Sequence, residues 1–131
     1  MSYIRLIILL FLGFHVAGGC LHAEPPAAEA MVPITVKIDF GPAEKPSVEQ
    51  KISIKEGATP NEALKAFLPV EQGAICCDAK EIKTINGVAA DPVKNRWWRL
   101  KINGTSKNAS PYKSHLKAGD VMEWIYFEDA Q

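Results

Sequence analysis

The 131-residue sequence has few of the residues from which metal centres and catalytic sites are built. It has three cysteines and three histidines, and two of the histidines, His15 and His22, fall within the first 23 residues. The third, His115, has no cysteine or histidine at a zinc-ligand spacing. Neither a nucleophile-elbow pattern nor a phosphate-binding glycine loop is present. The sequence therefore predicts no metal site, no cofactor and no enzyme.

An excess of charge of one sign is also lacking, because 15 basic residues balance 15 acidic ones. Residues 1–23 contain Arg5 and no acid, so 14 basic and 15 acidic residues remain without them. A chain with no basic excess has no overall charge with which to neutralise phosphates. Binding to nucleic acid or to an anionic membrane surface is therefore not expected.

The one long apolar run stands at the N-terminus. Leu6 to Val16 is apolar except for Gly13 and His15, follows the basic Arg5 and precedes small residues. This is the layout of a secretory signal, and the run is shorter than the ~20 residues that span a bilayer. We predict a signal peptide at residues 1–23 and export of the chain.

Two cleavage sites compete within this signal. Ala17-Gly18-Gly19-Cys20 resembles a bacterial lipobox, in which the cysteine is lipidated, although Ala17 stands where a larger aliphatic residue is usual. The alternative is ordinary cleavage after Ala23. We predict lipidation of Cys20, and hence a periplasmic or cell-surface lipoprotein. The Ala- and Pro-rich residues 24–33 are then a tether for a domain at residues 34–131.

Local patterns predict the order strand, strand, helix, strand, strand, strand. Alternation predicts a hairpin of residues 34–40 and 48–55. Thr59-Pro60-Asn61-Glu62 is a helix start with an N-cap, a proline and a capping glutamate, and Pro69 ends the helix. Three further strands are predicted at Glu81–Ile85, Arg96–Ile102 and Val121–Phe127. The last strand is apolar at nearly every position, as in the centre of a sheet.

This order indicates an α+β domain of the β-grasp (ubiquitin-like) type, with a mixed sheet of about five strands packed on one helix. A ferredoxin-like fold would need a second helix. The polar loop 105–120 has no apolar stripe from which to form one.

Motifs in the second half of the chain resemble those of a domain family found in bacteria and animals. They are Trp97-Trp98, Ile102-Asn103-Gly104, Ala109-Ser110-Pro111-Tyr112, Gly119-Asp120-Val121 and Glu123-Trp124. In animals the family looks like the C-terminal domain of transcobalamin and intrinsic factor. The resemblance implies a β-grasp fold and a lid that closes over cobalamin held by a helical domain, which this chain lacks. Most of these motifs also have a structural explanation, in turns and in core packing, and that explanation is the favoured one.

Strand alternation predicts a binding face. If Trp98, Leu100 and Ile102 face the helix, then Trp97 and Arg99 face away from it. With Met122, Trp124 and Tyr126 of the last strand on that same side, an aromatic face is left open. The predicted ligand-binding residues are Trp97, Arg99, Tyr112, Trp124 and Tyr126. In the alternative interpretation, the 105–120 loop covers this face. The assignment of residues to the two faces also depends on the strand register, because a shift of one residue would move every side chain to the opposite face.

Cys76 and Cys77 are adjacent, which leaves three interpretations open. They form a strained vicinal disulfide, a bridge between molecules, or two buried thiols.

The leading hypothesis from the sequence is a non-catalytic binding domain for a small ligand such as a corrinoid (cobalamin-like) molecule. The alternatives are a protein-interaction module of a cell-envelope assembly and, third, a thiol redox accessory that uses Cys76 and Cys77.

Overall fold

The computed structural model describes residues 27–73 and 81–130. The predicted signal peptide, Cys20, Cys76 and Cys77 lie outside these residues. The described residues form β1 (Met31–Asp39), β2 (Val48–Lys55), α1 (Pro60–Phe67), β3 (Val70–Gln72), β4 (Ile82–Ile85), β5 (Val88–Ala89), β6 (Arg96–Ile102) and β7 (Val121–Glu128). Single 3-10 turns lie at Gly41–Ala43 and Pro92–Lys94.

The strands form two sheets. The larger has the order β2-β1-β7-β6, with β1 parallel to β7 and the outer pairs antiparallel. The smaller has the order β3-β4-β5. The predicted α+β class, the single helix and the mixed sheet are confirmed. The strands divide between two sheets instead of forming one sheet of about five. Strands β3 and β5, which have only three and two residues, were not predicted from the sequence. Such short segments leave no alternation to detect.

One core fills the space between the larger sheet, α1 and the smaller sheet. Ile34, Val36 and Ile38 of β1 are at most 1% exposed, and they share a cluster with Leu64 of α1 and Ile85 of β4. Every buried hydrophobic residue of the described chain lies between Ile34 and Tyr126. A protein of residues 24–131 therefore contains every buried hydrophobic residue of the described chain.

The first strand begins earlier than its pattern indicates. β1 starts at Met31, so the last three residues of the predicted tether belong to the sheet, where Met31 pairs with Lys55. Ala30 O accepts a hydrogen bond from Glu56 N–H at 2.8 Å, and the Glu29 carboxylate contacts the Lys55 ammonium group. Pro33 obscured the start of the strand, since proline is depleted within strands.

The predicted capping box is present at the start of α1. Glu62 N–H donates to Thr59 Oγ1 at 3.3 Å, and Thr59 N–H donates to the Glu62 carboxylate at 2.7 Å. This second bond, helped by a hydrogen bond from Thr59 Oγ1, holds the pKa of Glu62 below its ordinary value of 4.5. The cap fixes the position at which α1 leaves β2, and so the angle at which the helix covers the sheet.

Thr59→Ala should lower the free energy of unfolding by about 1 kcal/mol, because Glu62 N–H loses its acceptor. Urea unfolding of residues 24–131, followed by circular dichroism, measures the loss. Ser53→Ala, at an exposed position of β2, is the control and should change stability by less than about 0.5 kcal/mol. Equal losses in both variants would mean that the cap does not stabilise this fold.

Candidate functional site

One face of the larger sheet is covered by α1 and the other is open. The pairing registers place odd-numbered residues opposite odd-numbered residues throughout β1, β2, β6 and β7. Residues that pair across strands share a face of the sheet. None of these odd-numbered residues is buried, whereas the even-numbered residues form the core. We call the side formed by the odd-numbered residues the open face.

Aromatic side chains gather at one end of the open face. Trp97 of β6 pairs with Phe127 of β7, and Arg99 pairs with Ile125. The Arg99 guanidinium carbon lies 3.8 Å from the centre of the Phe127 ring, in a cation–π contact. The Trp97 indole N–H donates to Asn95 Oδ1 at 2.9 Å, which orients the ring. These four residues, Trp97, Arg99, Ile125 and Phe127, are referred to below as the aromatic patch.

Charges of alternating sign cross the middle of the open face. Glu49, Lys37, Glu123 and Lys101 are register neighbours on β2, β1, β7 and β6 in turn. The Lys37 ammonium lies 3.3 Å from the Glu49 carboxylate. These four residues are referred to as the charge row. Opposite charges on adjacent strands stabilise the pairing modestly, and they bound the aromatic patch on one side.

The structure contradicts the predicted placement of three residues of β7. Met122, Trp124 and Tyr126 do not lie on the open face, and their side chains are only 0%, 2% and 4% exposed. They pair in register with Ile102, Leu100 and Trp98 on the helix side. The prediction that Trp98, Leu100 and Ile102 of β6 face the helix is thus confirmed. The prediction for β7 was wrong, because its even-numbered residues face the core and its odd-numbered residues lie on the open face. Trp124 and Tyr126 therefore cannot stack a ligand at the surface.

The buried aromatic residues join the two sheets. The Tyr126 hydroxyl donates to Ala89 O at 2.8 Å, and the Trp98 indole N–H donates to Val88 O at 3.0 Å. The rings of Trp98 and Tyr126 lie 5.0 Å apart. Burial raises the pKa of the Tyr126 phenol. These contacts hold β5 against the larger sheet, so Trp98 and Tyr126 have a structural role.

Tyr112 lies on the helix side, away from Arg99. Its hydroxyl accepts a hydrogen bond from Gln72 Nε2 at 2.8 Å, and the same amide group lies 3.2 Å from Asn61 Oδ1 in α1. The backbone of the 105–120 loop bonds to α1 and the turn before it, with Asn61 N–H donating to Pro111 O at 2.9 Å. The loop therefore packs at the start of α1 and does not cover the open face.

Phe127 and Ile125 belong to the patch but were not predicted there. Because β7 is apolar at six of its eight positions, alternation alone could not assign its two sides. Glu123 is the one charged residue inside the strand, and it has the same parity as Ile125 and Phe127. A charged residue is rarely placed on a core face, so Glu123 is the signal that marks this side as open.

The clefts of the described surface are shallow. One of about 360 Å³ lies beside the charge row and includes Asp39 and Ser47. Another, of about 270 Å³, lies between β2 and α1 and is lined by Ile54, Ala63 and Ala66. In residues 27–73 and 81–130 no three His, Cys, Asp or Glu side chains are grouped to hold a metal ion. Nor does any helix within those ranges have the length and apolarity to cross a membrane. Neither of these clefts is lined by a residue of the aromatic patch.

Two solved structures share this fold. A protein from Ruminococcus gnavus to which metal binding is ascribed matches with a TM-score of 0.55 and 24% identity, over 76% of this chain and 99% of that one. Haptocorrin in complex with Cbi matches with a TM-score of 0.59 and 12% identity. That match covers 78% of this chain and only 26% of the haptocorrin chain. The fold is thus that of a transcobalamin-like domain, which confirms the resemblance seen in the sequence.

The chain belongs to the family of the domain of unknown function DUF4430, whose model matches residues 57–128. The matched segment begins just before α1 and includes β6, β7 and the loop between them. No curated protein matches the sequence significantly. The family and the fold are therefore defined, and function must be argued from the surface of this chain.

Trp124→Ala should lower the free energy of unfolding by about 3–5 kcal/mol, because it leaves a cavity in the core. Trp97→Ala, at the half-exposed position on β6, should cost less than half as much. Urea unfolding of residues 24–131 measures both, and Trp124→Phe serves as a milder variant if Trp124→Ala does not fold. A larger loss for Trp97→Ala would show that the two faces are assigned the wrong way round.

Proposed function

We propose that the protein is a non-catalytic binding module at the cell envelope whose aromatic patch takes a flat ligand of the corrinoid class. The observation that carries this proposal is the contact of Arg99 with Phe127, beside the partly buried Trp97, on the face of the sheet opposite the core. Apolar side chains that form a contiguous patch at the surface mark binding sites more often than scattered single ones do.

The chemistry of the patch suits a broad, nearly planar molecule. Trp97, Phe127 and Ile125 offer apolar surface, and a corrin ring has a large apolar face of its own. The Arg99 guanidinium carries five N–H donors, which match the amide oxygens at the edge of such a ring. The charge row next to the patch supplies both signs of charge for further polar contacts.

A flat face can provide only one wall of a binding site. Small ligands held by one protein usually lie in a concave pocket that buries most of their surface. The clefts described above are not lined by the aromatic patch, and the domain matches only 26% of the haptocorrin chain. We therefore propose that the patch acts as a lid, and that a separate protein supplies the opposite wall.

Isothermal titration calorimetry of residues 24–131 with cobalamin and with cobinamide tests this site. Because the isolated domain supplies one wall only, weak but saturable binding is expected. Trp97→Ala or Phe127→Ala should weaken it about tenfold or more, because an anchoring aromatic contributes about 2 kcal/mol. Tyr112→Phe, on the helix side, is the matched control and should bind as the unmodified domain does. Calorimetry is preferred because Trp97→Ala also removes a fluorophore.

Two results would count against the corrinoid. Binding that survives both patch substitutions would move the site elsewhere, and the absence of heat with either compound would remove free corrinoid as a ligand of this domain. The second candidate function, a protein-interaction module of an envelope assembly, would then be favoured. The specific observation for it is that the open face joins the aromatic patch to a row of charges of both signs, as in interfaces with an apolar centre and a polar rim.

Location at the envelope rests on the signal and lipobox-like residues of the sequence, with Cys20 as the lipidated residue. In its native host, Cys20→Ala should move the protein from the membrane fraction to the soluble fraction. The reason is that the acyl chains on Cys20 would attach the protein to the membrane, whereas its net charge provides no electrostatic attraction to the membrane surface. Immunoblotting of the two fractions measures the shift, with Cys76→Ala as the control. Membrane association that persists in Cys20→Ala would contradict a lipid anchor on this residue.

A further inference from the structure

The outer edge of β2 is open to backbone pairing. β2 pairs with β1 on one side only. Two residues of β1, Pro33 and Thr35, bond to the segment that leads into β7: Thr35 N–H donates to Asp120 O, and Pro33 O accepts from Gly119 N–H. The odd-numbered residues of β1 therefore direct their backbone groups toward β7. The even-numbered residues of β1 therefore bond to β2, and their register partners there are even-numbered as well. The N–H and C=O groups of Glu49, Lys51 and Ser53 consequently point outward.

The other edge of the same sheet is protected. Arg96 of β6 exchanges two backbone hydrogen bonds of 2.9 Å with Asp91, and Ile102 N–H donates to Thr105 O at 2.9 Å. Both ends of β6 are thereby blocked by the chain's own turns, which is a common way to prevent edge pairing. No such block is recorded along β2 within the described residues.

The charged side chains of β2 indicate which kind of strand could pair with this edge. The alternation of the charge row ends at Glu49, which is 64% exposed although it lies near Lys37. A cation on the next strand would continue the pattern. Two residues further along β2 stands Lys51, which is exposed and has no salt-bridge partner among the described residues. The edge thus carries an acid and a base at the spacing that an antiparallel copy of itself would complement.

We propose that β2 pairs antiparallel with β2 of a second copy of this chain, about a two-fold axis at Gln50. Glu49 then faces Lys51 of the second copy, and Lys51 faces its Glu49, on the open face. Val48 faces Ile52 of the second copy on the helix side. The outward backbone groups of Glu49 and Lys51 find partners, and the self-complementary contact closes at two copies.

Neighbouring registers fit less well. A pairing centred on Lys51 places that lysine opposite its own counterpart, which is repulsive. A pairing centred on Ile52 places Glu49 opposite Lys55, which already contacts Glu29, and leaves Lys51 opposite an uncharged serine. The register centred on Gln50 is the one that gives both Glu49 and Lys51 an opposite charge.

The dimer would form one continuous sheet of eight strands. Residues opposite each other in an antiparallel pair lie on the same face, so both open faces would look the same way. Both aromatic patches would then be presented to one side. The pairing uses none of the patch residues and stands or falls independently of the ligand.

Sedimentation equilibrium of residues 24–131, between about 10 μM and 1 mM, tests the pairing, since contacts of this size can be as weak as a millimolar Kd. The weight-average mass should rise above that of the monomer, toward twice that value, as the concentration increases across this range. Lys51→Glu and Glu49→Lys should each remain monomeric, because each places like charges opposite one another. Lys107→Glu, in the turn beyond the opposite edge strand, is the matched control and should dimerise as the unmodified domain does.

A mixture gives the sharpest test. Equimolar Lys51→Glu and Glu49→Lys chains should form a mixed dimer, because every facing pair again joins an acid to a base. This rescue also shows that neither variant is simply unfolded. A domain that stays monomeric up to about 1 mM, or a dimer that neither variant dissociates, would overturn the proposal. A dimer that only Glu49→Lys dissociates would overturn the register centred on Gln50.

Discussion

The parallel pairing of β1 with β7 is the constraint on which the other features depend. It places Val36 beside Met122 and Ile38 beside Trp124, so the two most apolar strands bury the same set of positions. The start of this pairing is fixed by Asn103, whose side chain accepts a hydrogen bond from Val121 N–H and donates to the Asp120 carboxylate, both at 2.9 Å. Because successive strand residues point to opposite faces, fixing this register also fixes which residues reach the open face.

Local features of the fold could be predicted from the sequence and long-range ones could not. The helix start at Thr59 and the bounds of β6 depend on neighbouring residues, and both agree with the structure. The sides of β7 depend on its register against β1 and β6, and its six apolar residues are compatible with either side. Of the predicted ligand-binding residues, Trp97 and Arg99 lie in the patch, Trp124 and Tyr126 lie in the core, and Tyr112 lies on the helix side.

The two adjacent tryptophans show how one motif serves two purposes. Neighbouring residues in a strand must point to opposite faces, so Trp98 can enter the core only if Trp97 faces outward. Trp98 satisfies its indole N–H on Val88 O and packs near Tyr126, which accounts for it structurally. Nothing in the core requires an aromatic ring at Trp97, where a small polar side chain would preserve the strand. Its position beside Phe127 and Arg99 is therefore an argument for binding.

A single flat face and a free edge on the same sheet have a combined consequence. A ligand that touches one wall gains little affinity, because each contact must offset the entropy lost on binding. Two domains joined edge to edge would present two patches in a fixed relation, and the second contact would then be intramolecular. The gain depends on whether both patches can reach the same target. A large partner protein that displays two ligand sites would benefit from such an arrangement, whereas one free small molecule would not. The proposed site and the proposed dimer together are therefore more consistent with a lid for another protein's ligand than with a stand-alone receptor.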